Sequence, residues 1–218
     1  MSNPVILVLG AGPGIGASVA RRFGREGYDV ALVARSADRL EELGACLRNE
    51  RVTAVGAALD LTDEQRLSEG ITRLGQHAGH LDVLHFNPSV FRQKNPLELA
   101  PAELLEDLRL GVASLLTAVQ AARPFLSAGS RIVATGSMAA DRPWNQAASL
   151  GVQKAALRNL VRSLDTTLVS EGIRAMSLTV NGTLAPDTRF SPDLVAEAIY
   201  ATATRPVEEW RVEVSYDG

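Results

Sequence analysis

Four glycines stand at positions 10, 12, 14 and 16 of the stretch GAGPGIG, directly after the apolar run PVILVL. Glycine accepts positive φ and lets a backbone approach a ligand closely. A helix that starts at the end of such a loop points its first N–H groups, and the positive end of its dipole, at whatever occupies the loop. The chemistry implied is anion binding, and phosphate above all. Gly10, Gly14 and Gly16 have G-x-x-x-G-x-G spacing. The G-x-G-x-x-G fingerprint is not met, because Ile15 stands where its last glycine would fall. A buried strand leading into this loop and then a helix predicts a dinucleotide site made of Gly10, Gly12, Gly14, Ile15 and Gly16.

The second apolar run, DVALVA, ends in Arg35 and Ser36. In a dinucleotide-binding sheet this position meets the adenosine ribose, where an acid holds a 2′-hydroxyl and an arginine suits a 2′-phosphate. Arg35 and Ser36 therefore favour NADP over NAD, the alternative being a solvated arginine at a strand end. Asp60, followed by Leu61, fits a contact to the adenine ring or, equally, a cap for the next loop.

Other reactive side chains carry weaker signals. His85 is titratable near neutrality, yet its place in an apolar run favours packing against a crossover helix. His77 and His80 lack an acidic or cysteine partner and read as a surface pair rather than a metal site. Cys46, the single cysteine, excludes a disulfide framework and reads as a small apolar residue on a helix. Asn181, Gly182 and Thr183 match a glycosylation sequon, which without a secretory signal is a turn.

The elements that must position these groups alternate. Apolar runs over 4–9, 29–34, 52–59, 81–86, 131–135, 173–180 and 210–215 predict strands. Helical patterns cover 14–25, 37–49 (capped by Ser36), 62–76 (with Thr62 opening a capping box), 101–125, 146–170 and 192–203. Strands alternating with helices imply right-handed crossovers and a mostly parallel sheet. The prediction is one doubly wound, Rossmann-type α/β domain over residues 1–218, with about seven strands. A net charge of −3 offers no basic field for nucleic acid. The opening MSNPVILVLG has no basic stretch before its apolar run, and that run is too short to span a bilayer. Neither a signal peptide nor a membrane segment is expected, and a cytoplasmic location is.

The sequence resembles the short-chain dehydrogenase/reductase family nearly end to end. The carriers are Gly10, Gly14 and Gly16, the stretch VALVAR over 30–35, Asp60 with Leu61, LDVL over 81–84, RIV over 131–133, Ser137, and Lys154 with the two alanines after it. The resemblance implies hydride transfer between a nicotinamide and a carbonyl or alcohol. It makes Ser137 the group that polarises the substrate oxygen, Lys154 the holder of the nicotinamide ribose, and Asn87 a cofactor contact. It also implies assembly as a homodimer or homotetramer through the two long helices, where Leu115, Leu116, Val119, Leu157 and Leu160 supply apolar surface for core or interface alike.

Four departures qualify that resemblance. The family's general acid, a tyrosine four residues before the lysine, is replaced by Leu150, which has no proton to give. Gly111 takes the place of an asparagine that supports a proton-relay water. The usual N-N-A-G stretch reads Phe86, Asn87, Pro88, Ser89, and Pro88 removes a backbone donor. The substrate-covering segment is reduced to 181–191. Tyr28, Tyr200 and Tyr216 are expected to lie away from the site. Two functions stay open: an NADP-dependent oxidoreductase of unknown small substrate with impaired proton transfer, or a non-catalytic dinucleotide-binding or sensing protein.

Overall fold

The computed structural model describes residues 2–218. Seven strands form one parallel sheet in the order β3-β2-β1-β4-β5-β6-β7. They are β1 (Val5–Leu9), β2 (Asp29–Ala34), β3 (Ala54–Ala58), β4 (Val83–Phe86), β5 (Arg131–Ser137), β6 (Arg174–Val180) and β7 (Glu213–Tyr216). Every pairing is parallel, so the expected "mostly parallel" sheet is wholly so. Parallel neighbours require a crossover each time, which places helices on both faces and buries the strands.

The strand sequences alternate accordingly. Val5, Leu7 and Leu9 pack beneath α3 (Glu64–Ala78), α5 (Ser114–Ala122) and α6 (Ala148–Leu168). Ile6 and Val8 face α1 (Ile15–Arg25), α2 (Ala37–Asn49) and α7 (Pro192–Ala203). The order reverses between β1, which pairs with β2 on one side, and β4 on the other. A reversal of this kind opens a crevice beyond the carboxyl ends of the strands, and ligands of such sheets bind there.

Boundaries moved where local chemistry outweighed pattern. The expected Thr62 capping box is replaced by Asp63, whose carboxylate accepts from the Arg66 amide at 3.1 Å. The single helix expected over 101–125 is broken. α4 (Pro101–Leu108) passes into a π turn at Arg109–Ala113, then α5, then a short 3₁₀ turn. Gly111, poor at holding a helix interior, lies in the middle of that π turn. Cys46 sits on α2 as expected, but on its solvent face. Leu115, Val119 and Leu157 are core residues, whereas Leu116 is exposed. No described helix is long and apolar enough to cross a membrane.

Candidate functional site

The loop between β1 and α1 is built around two steric facts. A Cβ on Gly16 would overlap the Gly10 carbonyl oxygen, so the first turn of α1 closes onto the end of β1 only without one. A Cβ on Gly12 or Gly14 would meet nothing within 4 Å, so both face open space. Gly10 has φ of +81°, and Pro88 packs against the place where its side chain would be. The loop thus presents free backbone to a cleft of about 660 Å³, lined by Gly10, Gly12, Arg35, Ser36, Asn87 and Leu110 among others. Room at Gly12 and Gly14, beside the start of a helix, fits a pyrophosphate.

At the far side of this cleft Arg35 is joined by Arg39, which the sequence reading missed. The signal was available: Ser36 caps α2 by accepting from the Arg39 amide at 3.3 Å, and that bond places residue 39 one turn into the helix, at the cleft. Neither arginine pairs with a carboxylate among the described residues. Two cations without partners beside a phosphate loop fit an additional phosphate on the ribose. Asp60 makes the loop-capping contact that was one of its two readings, through Oδ1 alone. Its carboxylate accepts from the Thr62 amide at 2.9 Å and the Thr62 hydroxyl at 2.8 Å, a local turn. Those bonds, with the charge of Arg35 a lesser cause, hold it below the ordinary aspartate range. Leu61 is buried at the cleft floor.

The segment after β4 forms the opposite wall. The Asn87 amide nitrogen donates to Leu9 and its side chain reaches the Gly10 carbonyl oxygen at 3.4 Å. Asn87 therefore ties β4 to the glycine loop as well as bordering the cleft.

Ser137 ends β5 and caps a 3₁₀ turn over Met138–Ala140, accepting from the Ala139 amide at 3.2 Å. Its acceptor side is used, and its own O–H remains free to donate. The start of α6 lies tight against this turn. A Cβ on Gly151 would stand 2.8 Å from the Ala139 carbonyl oxygen. Leu150, which precedes Gly151, stands in the first helical turn of α6 beside that contact. One turn later Lys154 is 5% exposed, and its ammonium donates to the Thr135 carbonyl oxygen at 2.8 Å. Burial lowers it to about 8. Two of its three N–H donors remain unspent on protein groups.

His85 is fully buried, with Nε2 3.1 Å from the Thr135 hydroxyl. Burial, and to a lesser degree the charge of Lys154, lowers it to about 3. It is neutral at physiological pH and acts as a strand-to-strand contact. Tyr28 and Tyr200 pack edge-on against Phe23 in the last turns of α1, at the other end of the sheet. Tyr216 corrects the expectation of remoteness in part. It ends β7 at the same edge as Ser137, but β6 intervenes, and its hydroxyl donates to the Arg189 carbonyl oxygen at 2.6 Å. Trp144, 47% exposed, stacks at a tilt on Phe91 with ring centres 5.8 Å apart. Segment 181–191 holds no regular strand or helix and folds back on the end of β7 through Phe190 and Tyr216.

Comparison with known proteins agrees with this arrangement. Residues 4–191 match the family described as short chain dehydrogenase. A short-chain dehydrogenase/reductase of Arabidopsis thaliana is 26% identical over 165 residues, covering 75% of this chain and 65% of that protein, so the match spans just under two thirds of its length. Sulfoacetaldehyde reductase 2 of Chromohalobacter salexigens is 28% identical over 176 residues, covering 79% of this chain and 69% of that protein. Among solved structures, a short chain dehydrogenase from Burkholderia cenocepacia J2315 in complex with NADP is 26% identical with a TM-score of 0.89, over 100% of this chain and 97% of that one. A metagenomic short-chain oxidoreductase in complex with NADP is 25% identical with a TM-score of 0.89, over 99% and 97%.

Proposed function

The chain belongs to the short-chain dehydrogenase family, and from that premise we propose that it is an NADP-dependent oxidoreductase acting on a carbonyl/alcohol pair, with its proton step unassisted by a tyrosine. The observation that carries the reading is the cleft in which open glycine backbone at Gly10 and Gly12 shares the lining with two arginines without carboxylate partners, Arg35 and Arg39. Relatives described as bound to NADP support it. Bound there, the nicotinamide supplies or accepts the hydride. Gly12, Gly14 and the start of α1 hold the pyrophosphate, while Arg35, Arg39 and Ser36 hold the ribose phosphate. Lys154 offers its unspent donors to the nicotinamide ribose. The Ser137 hydroxyl, oriented by Ala139, donates to the substrate oxygen and polarises it.

Leu150 leaves no side-chain acid in the family's place, so water protonates the alkoxide, at a cost of about 10²–10⁴-fold against a positioned donor. The same residue supports a second reading, a dinucleotide-responsive protein without turnover. The proposal includes a cytoplasmic homodimer or homotetramer, for which light scattering is the check.

A titration with NADPH and NADH, followed by a panel of aldehydes and ketones with NADPH oxidation as the readout, tests the function. Tighter NADPH binding, lost selectively in Arg35→Ala and Arg39→Ala, is expected. A charge-assisted contact of about 1.5–3 kcal/mol makes that loss roughly 10–100-fold. Equal affinity for both nucleotides overturns the NADP assignment. Binding without turnover on any carbonyl favours the second reading.

A further inference from the structure

Gln153, the residue before Lys154, is among the most completely buried polar groups of the described residues. Gln153 is 0% exposed. Both ends of its amide bond a single residue. Oε1 accepts from the Val90 amide at 3.0 Å, and Nε2 donates to the Val90 carbonyl oxygen at 3.1 Å. A side-chain amide thus satisfies both backbone groups of one position in the segment that walls the cofactor cleft.

The space it occupies belongs to another residue. A Cβ on Gly111 would lie 2.5 Å from Gln153 Oε1 and 3.2 Å from its Cδ. The first approach is closer than real side chains tolerate, and the second is tight enough that the glutamine must shift. A side chain at 111 and the Gln153 clamp are therefore mutually exclusive. The family resemblance puts an asparagine, itself an amide, at position 111. Here the glycine and the glutamine together place an amide in the same volume, delivered from α6 instead of from the π turn.

We infer that Gln153 is a positioning residue that supplies from α6 the amide missing at Gly111, and that it holds the 87–95 segment against the cofactor cleft. The chain of contact is short. Val90 follows Ser89 and Pro88, which line the cleft, and Pro88 packs on Gly10 of the phosphate loop. The same segment is held further along by Arg92, bidentate on the buried Asp107, and by the Ala148 amide donating to the Lys94 carbonyl oxygen at 3.1 Å. Val90, the residue Gln153 holds, is the first of these anchor points after the cleft-lining Pro88 and Ser89. It precedes Lys154, so one turn of α6 fixes both the cleft wall and the lysine. Gly111 is then half of an exchange between two helices.

The inference rests on the proposed cofactor site for its functional consequence, and the first readout is independent of it. Amide hydrogen exchange at Val90 is measured in the full chain for wild type, Gln153→Ala, Gly111→Asn and the double variant Gly111→Asn/Gln153→Ala, with NADPH affinity measured in parallel. Gln153→Ala is expected to speed Val90 exchange and weaken NADPH about tenfold each, the scale of a lost buried hydrogen bond. Gly111→Asn alone is expected to do the same, because the new side chain expels the glutamine. The double variant is expected to return both to within about threefold of wild type, a sign reversal that independent sites do not show. Unchanged exchange in Gln153→Ala, or a double variant as impaired as the two singles combined, overturns the inference. If Val90 exchange responds as expected but wild type binds no NADPH, the cofactor reading falls and the clamp stands. If the double variant does not fold, Gln153→Met decides: it keeps length and loses the amide, so slow exchange at Val90 in that variant overturns the inference and fast exchange supports it.

Discussion

Lys154 donates to the Thr135 carbonyl oxygen at 2.8 Å, and among the described residues it has no carboxylate partner. An ammonium buried this way is kept at a cost to the stability of the fold. Its folded value of about 8 lies below the ordinary 10.5. Below pH 8 both folded and unfolded chains carry the proton and the cost is complete. Between pH 8 and 10.5 the folded chain releases it first, so stability rises with pH. Lys154→Met is therefore expected to be more stable than wild type at pH 7 by on the order of 3 kcal/mol, with the gap closing above pH 10.5, and to bind NADPH more weakly. Urea unfolding at the two pH values, beside a nucleotide titration, checks both halves.

His85 gives the acid-side counterpart. Burial holds it at about 3 against an ordinary 6.5. As pH falls from 6.5 toward 3 the unfolded chain gains a proton that the folded one refuses, and stability is lost at up to about 1.4 kcal/mol per pH unit. His85→Gln keeps a hydrogen-bonding group toward Thr135 and cannot titrate. Its stability relative to wild type should improve by about 2–3 kcal/mol between pH 7 and pH 4. A parallel decline of the two proteins in thermal melts would show that His85 is not the group concerned.

Gly12 and Gly16 separate ligand binding from folding. Gly16→Ala drives a methyl group into the Gly10 carbonyl oxygen and should lower the melting temperature by several degrees, as well as abolish nucleotide binding. Gly12→Ala meets no protein atom within 4 Å. It should melt within a degree or two of wild type yet bind NADPH at least about tenfold more weakly, because its methyl group enters the phosphate space. Calorimetry with and without nucleotide distinguishes them. A Gly12→Ala protein of undiminished affinity would mean that the pyrophosphate lies elsewhere.

Leu150→Tyr asks whether proton transfer limits the proposed reaction. The position abuts the Ser137 turn and lies one helical turn before Lys154. With a carbonyl that the wild type reduces slowly, the variant is expected to raise kcat by about 10²-fold or more, with a pH dependence that the wild type lacks. No change in kcat would locate the limiting step outside proton transfer.

The parts of the site that lie close together in sequence were legible there. The glycine spacing, the cap at Ser36 and the β-rich runs follow from steric and hydrogen-bonding rules acting over a few residues. The same locality explains the errors. Asp63 took the cap expected of Thr62. The helix over 101–125 looked continuous because its apolar pattern is, and the π turn that interrupts it is centred on Gly111, where Gln153, 42 residues away, occupies the space a side chain would take.

By itself the sequence determined that strands and helices alternate, that a phosphate loop follows the first strand, and that Leu150 interrupts the Ser137 and Lys154 register. Periodicity and glycine sterics are local properties, so they survive without coordinates. Only the tertiary structure decided that His85 is neutral and that Gly111 and Gln153 fill one volume between them. Each of those depends on which distant side chains share a buried space. Burial then shifts charge and excludes atoms in ways that no spacing along the chain encodes.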